Sequence, residues 1–525
     1  MKKTIVRLPA LCALALALAA CAPKAPEKYL ADGAVTAGEH TRVETTCGTI
    51  EGYLDGSVYT FKGIRYAVAE RFMPPQAPPR FEGVRQCKLY GPQTPQGETL
   101  VYNDAGTQTD YGFGNQFALE PMDEDCLVLN VWTPSISDGR KRPVFLWIHG
   151  GGYSSGSGHD LPCYEGRALA QKGDIVVVNI NHRLNVLGYL DLTGLGGKYA
   201  QSVNLGQQDI VKALEWVRDN IARFGGDPAS VTVGGQSGGG GKVSALMAMP
   251  SAQGLFHRAV VQSGSFLRPA DPEQTRQQGI AFVEALGVKP GPEADLSGFS
   301  YEELVAASRK VRASAGPVGD GEIIALRPAE TEASPLSRDI PLLVGTNYNE
   351  FVFDVGIDGS EAAVREQLAG RYGAERVDDY LAAFRAAYPD APLKDAVYAD
   401  LNFRSGAVLQ AAAKARQGGA PAYLYLFCWM PRGNVLGASH GMELPFMFNN
   451  VQNMREMTGG TDRAYRFQQT VSDIWLSFIR TGDPNIKGIP AWEPYSEENG
   501  FTMILDDTCR PALHHDDALL GFGRR

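Results

Sequence analysis

The sequence predicts an α/β protein with a central, mostly parallel sheet that carries helices on both faces. Short apolar runs rich in β-branched residues alternate along the chain with longer segments of helical period. The run at 174–180 is almost continuously apolar, which is typical of a strand covered on both faces. The 60 glycines and 32 prolines are spread over 525 residues and indicate many loops rather than low-complexity segments.

The same patterns give each element its expected position. Strands are expected at 43–53, 58–64, 128–132, 143–148, 174–180, 230–233, 259–262, 341–345 and 422–427. Helices are expected at 161–172, 204–224, 361–387, 404–417 and 462–481. Asp55-Gly56 is a turn signal that pairs the first two strands. The segments at 93–125 and 266–321 are expected to line a pocket.

The N-terminus predicts export. Lys2, Lys3 and Arg7 precede an apolar stretch at 8–20 that is too short to span a bilayer, so residues 1–20 are interpreted as a signal peptide. The stretch ends in Leu-Ala-Ala-Cys, which resembles a bacterial lipobox and implies lipidation of Cys21. The alternative is an ordinary secretory signal that happens to end beside a cysteine.

A lipidated Cys21 would tie the chain to the cell envelope through its N-terminus only. Residues 21–40, rich in Ala, Pro, Lys and Glu, are expected to form a flexible tether ahead of one folded domain at 41–525. Ala22, rather than Asp, follows the cysteine, which favours the outer membrane with a periplasmic or surface location.

Charge and cysteine spacing argue against nucleic-acid binding, anionic-lipid binding and a zinc or redox site. The net charge of −10 and the pI near 5.4 disfavour nucleic acid and anionic lipid headgroups as partners and suit a neutral or cationic small molecule. Six cysteines remain once Cys12 and Cys21 are set aside, and none are spaced C-x-x-C. The cysteine spacing gives a zinc or redox site little support, the oligomeric state is left open, and the serine chemistry described below is expected to need no metal and no cofactor.

A serine lies on a predicted strand-to-helix turn. The strand at 230–233 leads into Gly235-x-Ser237-x-Gly239, and a helical pattern follows. Glycine at both flanking positions suits a nucleophile elbow, in which the serine is strained and the neighbouring chain passes too close for side chains. The alternative is a glycine-rich turn without chemistry, because Gly-x-Ser-x-Gly also occurs by chance.

A serine nucleophile of this kind needs an acid and a histidine that follow it in that order along the chain. His257 follows Ser237 too closely, and the pair His514-His515 lies in a polar tail interpreted as a solvated turn, which leaves His440 as the candidate base. The candidate acid is Glu350, just past the strand at 341–345. Asp354 is a rival for that role, and a plain surface carboxylate is the alternative interpretation of Glu350.

Backbone donors for an oxyanion are expected on a loop after an early strand. His149-Gly150-Gly151-Gly152 follows the strand that ends at Ile148, and its three glycines would let the backbone approach a substrate carbonyl closely. A glycine turn without function is the alternative.

With these parts in place, the chain resembles the type-B carboxylesterase family, which contains cholinesterases, neuroligins and bacterial para-nitrobenzyl esterases. The resemblance covers about residues 43–510 and is carried by the elbow and these motifs: Phe61-Lys62-Gly63-Ile64, Glu124-Asp125-Cys126-Leu127, Trp147-Ile148-His149-Gly150-Gly151-Gly152, Phe224-Gly225-Gly226-Asp227-Pro228, Gly345-Thr346-Asn347 with Glu350, and Arg480-Thr481-Gly482-Asp483-Pro484. It implies an α/β-hydrolase fold for a single catalytic domain at 41–525. It also implies a set of roles: Ser237 as nucleophile, Glu350 as acid, His440 as base, and Gly151, Gly152 and Gly238 as oxyanion donors.

The chain departs from the family pattern around the serine. Gln236 stands where the family usually has Glu, which removes a negative charge beside the base, and Gly238 stands where Ala is usual. Phe351 replaces the usual Gly after the acid and is expected to project into or beneath the pocket. The family disulfide implies a partner for Cys126 near position 94, where this chain has threonine, so we expect Cys87 to serve as the substitute.

The predicted activity is hydrolysis of a small carboxylic ester through an acyl-enzyme on Ser237. Two alternatives remain open at the level of sequence. One is a non-catalytic surface binding protein on the same fold, although all three triad residues are present. The other is a hydrolase of amides, lactones or long-chain lipids, because the shape of the pocket decides the leaving group.

Overall fold

The computed structural model describes residues 35–96, 121–265, 268–314, 316–326, 332–351, 359–432 and 437–523. Within these ranges the strands are β1 (Val35–Thr36), β2 (Arg42–Thr45), β3 (Gly48–Glu51), β4 (Tyr53–Asp55), β5 (Val58–Arg65), β6 (Val84–Gln86), β7 (Val128–Thr133), β8 (Arg142–Ile148), β9 (Val176–Ile180), β10 (Gly226–Gln236), β11 (Arg258–Gln262), β12 (Leu342–Asn347), β13 (Ala422–Phe427), β14 (Phe501–Leu505) and β15 (Arg510–Leu513).

The helices of the same ranges are α1 (Arg167–Gly173), α2 (Asn185–Tyr189), α3 (Leu205–Asn220), α4 (Gly238–Leu246), α5 (Pro272–Ala285), α6 (Tyr301–Lys310), α7 (Glu361–Tyr372), α8 (Val377–Ala387), α9 (Asp395–Tyr398), α10 (Asn402–Arg416), α11 (Leu444–Met447), α12 (Arg455–Thr458), α13 (Asp462–Thr481) and α14 (Asp517–Leu520). None of these helices is long and apolar enough to cross a membrane.

Twelve of the described strands form one sheet, in the order β1-β4-β5-β7-β9-β8-β10-β11-β12-β13-β14-β15. Every neighbouring pair between β9 and β14 in this order is parallel. The pairs outside this central part, toward both edges of the sheet, are antiparallel. A second sheet is formed by β2, β3 and β6. The predicted α/β fold with a mostly parallel sheet flanked by helices is confirmed.

The central strands are buried from end to end because helices flank the sheet. In β9 and β13 every residue is buried, which explains why these segments are almost free of polar residues. Helix α4 contacts β10 and β11, and α13 contacts β8 and β10. Because β8, β10, β11, β12 and β13 run in one direction, their carboxyl ends meet at one edge of the sheet.

Two predicted elements are interrupted. The expected strand at 43–53 is three short strands, because the Thr45 hydroxyl donates to the Gly48 carbonyl (2.7 Å) and closes a turn after β2. The expected helix at 361–387 is split into α7 and α8 at Gly373, whose φ of 92° is left-handed. The expected helix at 161–172 begins as α-helix only at Arg167.

The expected Cys87–Cys126 disulfide is wrong for this structure, since all six cysteines within the described ranges are free thiols. The Sγ of Cys126 lies 3.0 Å from the Thr94 hydroxyl, which itself donates to the His182 carbonyl (2.7 Å). The Thr94 hydroxyl is therefore the hydrogen-bond partner of the Cys126 thiol, at the position where the family has the second cysteine of the disulfide. Burial raises the pKa of Cys87 to about 11 and that of Cys126 to about 12.

Three predictions fall on residues outside the described ranges. The signal peptide and Cys21 belong to 1–34, most of the pocket segment at 93–125 belongs to 97–120, and Asp354 belongs to 352–358. These stay predictions.

Candidate active site

Ser237 lies at the sharp turn between β10 and α4. Its backbone has φ 57° and ψ −127°, a strained conformation for a residue with a side chain. A Cβ on Gly235 would lie 2.4 Å from the Gly239 backbone, and one on Gly239 would lie 2.1 Å from the Ile148 carbonyl oxygen. Both glycines are therefore required for the turn. The serine itself is partly exposed, so a substrate can reach it.

Glu350 and His440 are 90 residues apart in sequence and are brought together at the same edge of the sheet, after β12 and β13. The Nδ1 of His440 lies 2.5 Å from a carboxylate oxygen of Glu350, and the His440 N–H donates to the Glu350 carbonyl (3.0 Å). The Glu350 side chain is fully buried. Such a carboxylate fixes the imidazole with its proton on Nδ1 and leaves Nε2 as the proton acceptor.

The second carboxylate oxygen of Glu350 is also satisfied. It accepts hydrogen bonds from the Ser263 hydroxyl (2.6 Å) and the Asn347 N–H (2.7 Å). Ser263 follows β11 directly, so a fourth strand contributes to the site, and sequence reasoning did not identify it. The only signal available was its place at the carboxyl end of a predicted strand.

A second buried carboxylate, Glu443, lies behind the first. It accepts hydrogen bonds from the side-chain amides of Gln262 (3.0 Å) and Asn347 (2.6 Å). Burial raises the pKa of Glu443, and the nearby charge of Glu350 raises it further. The Gln262 amide oxygen accepts from the Trp475 indole N–H (3.1 Å), which links this network to α13.

Gln236 contacts the base on its other side. Its Nε2 lies 3.0 Å from the Nε2 of His440. With the imidazole proton on Nδ1, the amide donates to the free Nε2 lone pair. Both ring nitrogens of His440 thus have partners before any substrate is bound.

Two aromatic rings flank the imidazole. The ring of Phe351 is centred 4.0 Å from that of His440 and is tilted by 32°. Phe403 lies 5.3 Å from His440 and 5.9 Å from Phe351. Phe351 is 50% exposed, so it presents an apolar face to solvent beside the base, and its projection into or beneath the pocket stays a prediction.

The loop after β8 lies against the elbow. A Cβ on Gly238 would lie only 1.9 Å from the Gly152 carbonyl oxygen, so the alanine usual in the family does not fit this arrangement. Gly151 and Gly152 have φ values of 82° and 62°. The glycine at 238 thus lets the two segments approach each other more closely than a side chain would allow.

The three candidate oxyanion donors belong to peptide groups whose carbonyl oxygens are also held. The Gly150 carbonyl accepts from His149 Nδ1 (2.9 Å), the Gly151 carbonyl from the Ser155 N–H (3.1 Å), and the Ser237 carbonyl from the Gly241 N–H (3.0 Å). These contacts fix the planes of the peptides that carry the N–H groups of Gly151, Gly152 and Gly238. Donors held in this way need no reorganisation when charge develops.

The other histidines considered in the sequence have other partners. His514 is exposed and bonds to Asp517 (2.7 Å) and the Glu498 carbonyl (2.9 Å), whereas His515 is largely buried and does not sit in a solvated turn. His257 accepts from the Val231 N–H (3.1 Å). No group of three or more His, Cys, Asp or Glu within the described ranges could hold a metal ion.

Comparison with known proteins places the chain in a family. The profile of the carboxylesterase family matches residues 39–518. The chain is 34% identical over 494 residues to the para-nitrobenzyl esterase of Bacillus subtilis (strain 168), which covers 89% of this chain and 95% of the relative. It is 31% identical over 498 residues to the phenmedipham hydrolase of Pseudarthrobacter oxydans, with 88% and 94% covered.

Solved structures agree. An esterase from Clostridium hathewayi, described as hydrolysing aliphatic aromatic polyesters, superposes with a TM-score of 0.83 at 36% identity and covers 93% of this chain and 99% of its own. A para-nitrobenzyl esterase superposes with a TM-score of 0.75 at 31% identity and covers 92% and 99%. The chain therefore belongs to the carboxylesterase family and is a carboxylic-ester hydrolase with the α/β-hydrolase fold.

Proposed function

We propose that the protein hydrolyses esters through a Ser237–His440–Glu350 triad. The supporting observation is the buried 2.5 Å contact between Glu350 and His440, at the edge of the sheet where the elbow presents Ser237. In the first step the Ser237 oxygen attacks the ester carbonyl carbon while its proton passes to His440 Nε2. Glu350 stabilises the imidazolium that forms and keeps it oriented.

The tetrahedral intermediate carries its negative charge on the former carbonyl oxygen. The N–H groups of Gly151, Gly152 and Gly238 are proposed to donate to it. His440 then returns the proton to the leaving alcohol, and the acyl group stays on Ser237. Water repeats the sequence, with His440 as its base, and releases the carboxylic acid.

We further propose that the leaving alcohol is preferably aromatic. The group that protonates the alcohol is His440, so the side chains beside His440 flank the leaving group. Those side chains are Phe351 and Phe403, and Phe351 is exposed to an incoming ring. Aromatic pairs of this kind are worth about 0.5–1.5 kcal/mol beyond burial of area. The relative named for a para-nitrobenzyl ester, whose alcohol is aromatic, supports the same preference.

Replacing Phe351 with alanine is expected to lower kcat/KM for phenyl and benzyl esters by about 10-fold, because the stacking contact is lost. Hydrolysis of methyl and ethyl esters of the same acid is expected to change little. The measurement is kcat/KM for a series that varies only the alcohol.

Leu513→Ala, which truncates an exposed apolar residue on the edge strand β15, is the matched control and should leave both ester classes unaffected. An equal loss for aryl and alkyl esters in Phe351→Ala would mean that the ring supports His440 and selects no leaving group.

We also propose that the enzyme is an exported lipoprotein held to the bacterial envelope by Cys21. The support is the basic start of the chain, the short apolar stretch at 8–20 and the Leu-Ala-Ala-Cys sequence that ends it. Metabolic labelling with a fatty acid tests this directly. The label is expected on the wild-type protein and absent from Cys21→Ala, and an unlabelled wild-type protein in the soluble fraction would exclude the anchor.

A further inference from the structure

A lysine is completely enclosed behind the oxyanion loop. Lys242 lies on α4, and its side chain has no exposed surface. Its Nζ donates to the His149 carbonyl oxygen (3.4 Å) and lies 5.7 Å from the centre of the Tyr153 ring. Burying an ammonium group is costly unless the site requires its charge or its hydrogen bonds. The ester-hydrolysis steps described above leave this group without a role.

Two neutral imidazoles lie beside it. The rings of His149 and His182 are stacked, with centres 4.8 Å apart and planes 11° apart. Each Nδ1 lies within 3.0 Å of the carbonyl oxygen of the next residue and therefore carries the proton, while neither Nε2 has a hydrogen-bond partner among the described residues. Burial lowers the pKa of both rings well below the usual range, and the charge of Lys242 lowers it further.

These contacts act on consecutive peptide groups of the oxyanion loop. Lys242 holds the carbonyl of the peptide between His149 and Gly150. The His149 ring holds the carbonyl of the next peptide, whose N–H belongs to Gly151. A hydrogen bond to a carbonyl polarises its peptide group and strengthens the N–H at the other end as a donor. Lys242 thus acts on the Gly151 N–H indirectly: it contacts the His149 backbone, and the His149 ring contacts the peptide group that carries this N–H.

Within the part of the chain that the structure describes, the carboxylate that acts on the charge of Lys242 is the buried Asp160. Burial lowers the pKa of Lys242 to about 7, and the charge of Asp160 opposes that shift. Burial also raises the pKa of Asp160 to about 7. On the neighbouring helix α3, Asp209 forms an ion pair with the Arg183 guanidinium, with nitrogen–oxygen distances of 2.6 and 2.9 Å. Among the described residues, the other titratable groups that face the lysine are the two imidazoles and Tyr153.

We propose that Lys242 is a positioning residue for ester hydrolysis, because its ammonium group clamps the His149 carbonyl and keeps His149 as the neutral Nδ1–H donor that orients the Gly150–Gly151 peptide. The proposal rests on the function assigned to Ser237 and its oxyanion donors. Lys242 itself touches neither the substrate nor the reacting atoms.

Replacing Lys242 with methionine keeps an unbranched side chain that is one atom shorter and removes the charge and the hydrogen-bond donor. At a pH where the wild-type lysine carries its proton, kcat is expected to fall by about 10-fold with little change in KM, because a misplaced donor weakens only the transition state. In the wild type, kcat should decline as the pH rises through the pKa of Lys242, and this decline should be absent from Lys242→Met. A pH-stat assay avoids the pH-dependent absorbance of nitrophenol.

The pH profile of kcat for Asp160→Asn is an independent test of the role of Lys242. Removing the carboxylate that stabilises the ammonium should move the alkaline decline of kcat to lower pH, with kcat on the acid side retained. Lys242→Met with wild-type kcat, or with the alkaline decline still present, would overturn the proposal, and so would Asp160→Asn with an unshifted profile. Labelling by a fluorophosphonate is measured first in every variant, because an unlabelled wild type would refute the role of Ser237 rather than that of Lys242.

Discussion

Replacing Ser237 with alanine is expected to lower kcat/KM for para-nitrophenyl butyrate by about 10⁵-fold, since losing the nucleophile of a triad removes nearly all of its contribution. The residual rate would come from binding and the oxyanion donors alone. Covalent labelling by a fluorophosphonate should disappear as well. Rates come from an ester assay with the purified variant, and labelling from intact-mass spectrometry.

Ser251→Ala is the matched control, because Ser251 is an exposed serine outside the site and its loss should change neither rate nor labelling. A Ser237→Ala protein that hydrolyses esters at the wild-type rate would contradict the assignment. A wild type that is neither active nor labelled would instead support the non-catalytic alternative. Labelling without ester hydrolysis would favour amides, lactones or long-chain lipids as substrates.

Gly238→Ala introduces the residue usual in the family, yet it is expected to lower kcat by about 10²-fold with little change in KM. The new Cβ would lie 1.9 Å from the Gly152 carbonyl oxygen, so the loop or the elbow must shift. Such a shift moves at least one of the three proposed oxyanion donors, and the loss of one donor typically costs about 10²–10³-fold in kcat. Affinity for a trifluoromethyl ketone that mimics the tetrahedral intermediate should fall by a similar factor.

Gly370→Ala is the control for this substitution. Gly370 lies within α7, and a Cβ there would meet nothing within 4 Å, so the change should leave activity intact and favour the helix slightly. If Gly238→Ala keeps the wild-type kcat, the close approach of the loop to the elbow has no catalytic importance.

Much of this site was predictable because its chemistry follows the order of the strands. Ser237, Glu350 and His440 each follow a strongly apolar run, and parallel strands bring such positions to one edge. Chain order reduced eight histidines to His440, His514 and His515, and the polar tail around the last two left His440 as the base. The fold class therefore followed from the hydrophobic periodicity of the sequence, and the candidate triad followed from its motifs and their order.

The supporting residues were not predictable in the same way. Ser263 is one serine at a strand end, and nothing in its neighbourhood signals a contact with Glu350. Lys242 stands in a helical pattern, where lysine is ordinarily exposed, and only the packing of the helix against the loop shows that it is enclosed. The Cys87–Cys126 pairing was wrong because it was carried over by proximity in sequence, whereas Thr94 had taken over the contact with Cys126.

The contact between Gln236 and His440 means that two donors, the Gln236 amide and the Ser237 hydroxyl, compete for Nε2 of the base. The Gln236 amide donates to the same lone pair that must receive the proton of Ser237. Forming the catalytic hydrogen bond therefore exchanges one partner for another and leaves the number of bonds to the imidazole unchanged. A substrate oxygen that accepts from the displaced amide shifts this equilibrium toward the reactive pairing.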